Sequence, residues 1–199
     1  MDRFMLCSNA ATSPYYKQAL YTHGYLCMKR DNVTDAIDDF KMFQRLSGQA
    51  IAGDAQVDKH QVNDVNNRLG DCYYLQSNYT EAMKYYDKVI DAHDADADYA
   101  IYQKAMSYGA TGKYHEKLSY LNRIFEQFDH SSLAPKALYE VAQTYMVCDN
   151  NEMALLYFNN FLKQYPQHTL VKNALLSKGL IYYNTDRNNE ALEVFDQLL

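Results

Sequence analysis

The sequence predicts an all-α chain of about five antiparallel helical hairpins, and three observations carry that reading. Gly and Pro are scarce, 7 and 3 among 199 residues, and Ala, Leu and Tyr are plentiful, a balance that favours helices over sheet-and-turn folds. Self-similar segments recur along the chain, as they do when one supersecondary unit is stacked repeatedly. Each segment sets a first, small anchor residue twelve positions before a second anchor, with a large apolar residue four positions further on.

The first hairpin has Gly24, Ala36 and Phe40 in these places, the second Gly70, Ala82 and Tyr86. The third has Ala105, Lys117 and Leu121, the fourth Ala142, Ala154 and Phe158, the fifth Gly179, Ala191 and Phe195. Successive first anchors lie 46, 35, 37 and 37 residues apart. Small side chains let two antiparallel helices approach, and the large one fills the space a turn away. The repeats so defined span about 17–46, 63–92, 98–128, 135–166 and 172–199, within a solenoid over 15–199. Residues 1–14 read as a tail or the remnant of a preceding helix. Stop-and-cap pairs separate the two helices of each hairpin: Asp31-Asn32, Ser77-Asn78, Thr111-Gly112, Asp149-Asn150 and Arg187-Asn188. Pro135, preceded by Ser131 and Ser132, suits the first turn of the fourth leading helix, and Pro166 marks the stop of its trailing helix. The first interval is nine residues longer than the later ones, an excess that reads as an enlarged loop around 47–60.

The small-residue pair, the Tyr three positions after the first anchor (Tyr73, Tyr108, Tyr145, Tyr182) and Pro166 together resemble the tetratricopeptide repeat, whose usual length is about 34 residues. The 37-residue spacings resemble the longer variant of bacterial cell-envelope proteins, the Tol-Pal coordinator and the outer-membrane assembly lipoprotein. The resemblance implies a right-handed α-solenoid whose leading helices line a concave groove. Projected onto this chain, the groove positions are Tyr21, Tyr25, Met28, Asp71, Tyr74, Tyr102, Met106, Tyr139, Gln143, Met146 and Tyr183. Tyr and Met are adaptable contact residues suited to an extended peptide or a partner helix. The basic residues that clamp a peptide C-terminus in the chaperone-binding subgroup are replaced here mostly by Tyr, with Asp71. Two departures stand out: Lys117 replaces a small residue, so that its hairpin should be looser or its stem should snorkel outward, and Asn66 stands where the family prefers a large apolar side chain.

Other chemistries find little footing. A net charge of -6 and a pI near 5.4 provide no field for a phosphate backbone, so nucleic acid is not an expected partner. No run of apolar residues reaches the length of a membrane span, and the first ten residues lack a basic leader followed by an apolar core. Cys7, Cys27, Cys72 and Cys148 form no CxxC pair and read as buried free thiols. The six histidines show no ligand spacing. Asp94, Asp96 and Asp98 alternate like the start of a calcium loop, but Tyr99 and Ala105 occupy the places of its Gly and bidentate Glu. Gly109-Ala-Thr-Gly-Lys113 is too short for a phosphate loop and reads as a helix stop. Neither a nucleophile with its base, nor a cofactor, nor a metal is expected.

The function expected is therefore a protein-interaction scaffold with a Tyr-rich groove, and not an enzyme; the alternative is an architectural spacer that stacks on neighbouring repeats without a transient ligand. Leu192, Val194, Phe195 and Leu198 near the last residue need cover. That need points to a longer repeat array or to end-to-end self-association. A cell-envelope or periplasmic location is implied by the resemblance alone.

Overall fold

Small first anchors and capped turns cut the chain into paired helices. The computed structural model describes residues 15–48, 58–92, 97–128 and 130–199. Among them are ten helices and no strand: α1 (Tyr16–Lys29), α2 (Val33–Ser47), α3 (Lys59–Leu75), α4 (Tyr79–Asp91), α5 (Ala97–Ala110), α6 (Tyr114–Gln127), α7 (Ala134–Val147), α8 (Asn151–Gln164), α9 (Val171–Asn184) and α10 (Asn188–Asp196). The expected all-α class and its five hairpins are present. The tail with Cys7, most of the enlarged loop (49–57), and Asp94 and Asp96 lie outside the described residues.

The trailing helices bury narrow stripes at helical spacing. In α4 the stripe is Ala82, Tyr85, Tyr86, Val89 and Ile90, and in α8 it is Ala154, Phe158 and Phe161. Steps of three and four place such residues on one face. Leading helix α3 differs: Asn63, Val65, Asn66, Asn67, Leu69, Gly70, Asp71 and Cys72 are all buried, so it is covered on most sides.

The first, second and fifth hairpins close where the glycine anchor meets the aromatic ring of its partner helix. A Cβ built on Gly24 would lie 2.7 Å from the Phe40 ring, one on Gly70 2.4 Å from the Tyr86 ring, and one on Gly179 2.4 Å from the Phe195 ring. Only hydrogen leaves that room. The turns repeat as well: Asp31, Ser77, Asp149 and Asp186 adopt φ of 56 to 58°, and Gly112 adopts φ 73°. The residue that follows each of these caps the next helix, and Asn32, Asn78 and Asn150 accept the backbone N–H of Asp35, Glu81 and Met153. In the third and fifth hairpins the left-handed residue and the cap are Gly112 with Lys113, and Asp186 with Arg187. The sequence reading, Thr111-Gly112 and Arg187-Asn188, misses these by one position in opposite directions, because Lys113 and Arg187 have no side-chain oxygen that would mark them as caps.

The contacts divide the chain into two compact units, Met1–Ala100 and Ile101–Leu199. In the first, α1 packs on α2, α2 on α3 and α3 on α4, around Phe40, Phe43, Val65, Leu69 and Cys72. In the second, α6 to α10 pack each on the next and α7 also touches α9, with Ala142, Phe158, Phe161, Ala174 and Ile181 in the core.

Three sequence expectations need correction. Lys117 does not snorkel to water: its stem lies under Gly109, the residue is buried, and its Nζ donates to Glu140 Oε2 at 2.7 Å. The long stem fills the space of the missing ring, and the carboxylate from α7 compensates the buried charge. Cys148 is exposed, because it stands at the C-cap of α7 rather than inside the helix. Val194 is buried and Phe195 lies against Gly179, so α9 itself covers them, whereas Leu192 is exposed.

Candidate functional site

In α3, Asp64, Arg68 and Asp71 follow one another at four and three residues and share a face. Tyrosines from three other helices converge on them. From α1, Tyr21 donates to Asp64 Oδ2 at 2.8 Å, and Tyr25 donates to the same oxygen. Tyr86 of α4 donates to Asp71 Oδ1 at 2.9 Å, and Tyr99 of α5 to Asp71 Oδ2 at 2.9 Å. Arg68 sits among them, its Nη1 2.8 Å from Asp71 Oδ2 and its Nε 3.4 Å from Asp64 Oδ1. Its guanidinium lies over the Tyr99 ring at 5.0 Å and the Tyr25 ring at 5.9 Å.

The four phenols thus donate to the two carboxylates, which pair with the one guanidinium, although the buried Arg68 Nε makes no hydrogen bond of its own. Burial, with Asp64 beside Tyr25 and Asp71 beside Tyr86, pushes both hydroxyls far above the usual phenol value, so they stay protonated donors. Burial disfavours the Arg68 charge, but Asp71, Tyr99, Tyr25 and Asp64 together outweigh it and hold the guanidinium above its ordinary value. Burial raises the Asp71 carboxyl against the opposing pull of Arg68 and the two phenols.

Of the predicted groove residues, Tyr21, Tyr25 and Asp71 come together in this network. Met28 packs against the first unit's core, and Tyr74 meets the Tyr79 ring edge-on at 5.2 Å. Tyr102 and Met106 are half-buried on α5. Tyr139 packs edge-on against Phe158 and Phe161. Gln143 Nε2 reaches both the Tyr139 hydroxyl, at 2.7 Å, and Ser177 Oγ of α9, at 2.8 Å. Met146 lies against the second unit's core, whereas Tyr183 is 62% exposed. Sequence reasoning missed Asp64, Arg68, Tyr86 and Tyr99. The charged face of α3 was visible as a spacing, but its phenolic partners come from three helices.

Residues 54–97 and 99–131 each match a family model described as tetratricopeptide repeat. The chain carries tetratricopeptide repeats. Repeats of this kind generally mediate protein–protein interaction and are generally not enzymes. Among curated proteins, none matches the sequence. Solved structures of the same fold include MamA from Desulfovibrio magneticus RS-1, with TM-score 0.71 and 15% identity over 92% of each chain. The repeats of a putative kinesin light chain from Podosopora anserina give TM-score 0.69 and 13% identity over 93% of each chain. YrrB, a tetratricopeptide protein with an unusual peptide-binding site, gives TM-score 0.62 and 17% identity over 90% of this chain and 82% of its own. At such identities the likeness is one of fold, and it lends no support to the cell-envelope subgroup.

Within the tetratricopeptide frame, the Tyr three positions after the first anchor meets a second Tyr three positions after the second. Tyr73 and Tyr85 stack with ring centres 5.5 Å apart, Tyr108 and Tyr120 lie at 5.3 Å, and Tyr145 and Tyr157 at 5.4 Å. Asn66, in place of the family's large apolar residue, is buried and accepts Gln44 Nε2 at 2.7 Å. Among the described residues, one group of three potential metal ligands comes together: His23 and Cys27 on α1 with Asp39 on α2. The histidine spacing gave no hint of it. No helix among the described residues is long and apolar enough to cross a membrane.

Proposed function

We propose that this chain is a protein-interaction scaffold that holds an extended peptide or a partner helix along its leading helices. The observation that carries the reading is an apolar stripe on α9, where Leu176, Leu180 and Tyr183 are 48, 39 and 62% exposed at steps of four and three. Large side chains left in water on one face favour a partner that covers them. Val147, at the end of α7 in the same unit, extends the same tendency with an exposure of 58%. Tyr102, Met106 and Met146, half-buried on leading helices, add adaptable contact surface. The peptide-binding site of YrrB, a protein of the same fold, supports a peptide as the class of ligand. The 37-residue spacing supports a place in cell-envelope assembly.

Peptides selected against the chain from a displayed library test the proposal. The double variant Leu180→Ser, Tyr183→Ala should bind a selected peptide at least about tenfold more weakly, a loss of roughly 1.4 kcal/mol. Leu192→Ser, on exposed α10, should leave affinity unchanged. Equal affinity for the chain and the double variant would reject this face. The alternative, a spacer with no transient ligand, draws on the engagement of Tyr21, Tyr25 and Tyr99 with Asp64 and Asp71, and it predicts that no peptide is selected.

A further inference from the structure

A contacting tyrosine pair recurs at the same register in the second, third and fourth hairpins. In the first hairpin those two places hold Cys27 and Asp39, three positions after Gly24 and Ala36. His23, one turn before Cys27, completes the replacement. Residues four apart lie on one helix face, and the close approach of α1 and α2 where Gly24 meets Phe40 brings Asp39 up to both. His23 Nδ1 stands 2.5 Å from Asp39 Oδ2, and Cys27 Sγ lies 3.7 Å from His23 Nδ1 and 3.9 Å from Nε2. One ligand atom from each residue falls within 4.8 Å of the others.

We propose that His23, Cys27 and Asp39 form a binding site for a divalent transition-metal ion of the zinc class. A tetrahedral ion with bonds of ~2.0–2.3 Å sets its ligand atoms roughly 3.3–3.6 Å apart. The sulfur–nitrogen distances are close to that spacing already. The nitrogen–oxygen pair must open by about 1 Å, which the His23 side chain, 53% exposed, has room to do. Imidazole, thiolate and carboxylate form a mixed donor set that suits zinc better than magnesium or calcium. On binding, the Cys27 S–H bond breaks, a sulfur–metal bond forms and the proton leaves to water. The thiolate and the Asp39 carboxylate then balance the two positive charges, and the neutral imidazole adds none. Asp39 and Cys27 are buried, while His23 faces solvent, so water fills the fourth position from that side. A cleft of about 440 Å³, lined by Leu20, Asp38, Asp39, Lys41, Met42 and Arg45, lies beside Asp39.

Titration of the reduced full chain with Co²⁺ tests the site. The expected result is a thiolate-to-cobalt charge-transfer band that saturates at one equivalent and is bleached by Zn²⁺. Cys27→Ala should abolish the band, and Cys7→Ser, Cys72→Ala and Cys148→Ser should leave it intact. His23→Ala, at an exposed position that tolerates truncation, should weaken cobalt binding at least about tenfold while helicity by circular dichroism stays unchanged. Absence of a thiolate band, a band that survives Cys27→Ala, or undiminished affinity in His23→Ala would overturn the proposal.

Discussion

A methyl group at Gly70 would meet the Tyr86 ring, which is fully buried and tied through its hydroxyl to Asp71. Alanine improves helix propensity by up to ~1 kcal/mol, but overpacking a rigid core site costs about 1–3 kcal/mol. Gly70→Ala should therefore destabilise the chain by roughly 1–2 kcal/mol, read as a lower urea midpoint. Gly48→Ala is the control: nothing lies within 4 Å of its added Cβ, and its effect should stay within about 0.5 kcal/mol. An equal shift for both would contradict the steric account. Gly24, Gly70 and Gly179 were legible in the sequence because close packing allows so few residue types there. The Asp64–Arg68–Asp71 network was not, since Tyr21, Tyr25, Tyr86 and Tyr99 are ordinary tyrosines until the fold aims four hydroxyls at two carboxylates. His23 and Cys27 were one helical turn apart on the page, but only the hairpin adds Asp39.

Turns and trailing helices repeat with small variations, and the variations are informative. The caps Asn32, Asn78 and Asn150 share φ of -87 to -88° and ψ of 67 to 72°, and Lys113 has φ -88° and ψ 69° without a side-chain bond to the helix. Lys113 therefore already holds the backbone shape of an Asn cap. Lys113→Asn should supply the missing acceptor for α6 and raise stability by about 0.5–1 kcal/mol, visible as a higher thermal midpoint. An unchanged or lower midpoint would show that the Lys113 ammonium over Tyr108, at 6.0 Å, outweighs the cap. The same element shows where family pattern misleads. Lys117 in a small-residue place looked like a defect, yet Gly109 gives its stem room and Glu140 receives its charge. That compensation needs a residue 23 positions away on α7, beyond any local reading.

In each unit the trailing helices turn narrow apolar stripes inward, and among the leading helices α3 is packed on most sides. Hairpin number, order and class followed from the recurrence of small anchors, because that recurrence reflects one packing geometry used five times. The expected groove positions were legible only as register. Tyr21, Tyr25 and Gln143 make contacts between successive hairpins, whereas Tyr183 and the unforeseen Leu176 and Leu180 face water. In the second unit, bonding between hairpins through Gln143 thus stands beside exposed apolar side chains on α9, the face proposed to hold a peptide. Backbone amide hydrogen exchange on the chain, free and bound to a selected peptide, tests that combination most directly. The expected result is slowed exchange along α9 and in the last turn of α7 on binding, with α8 and α10 unchanged. Slowing confined to the trailing helices would contradict it.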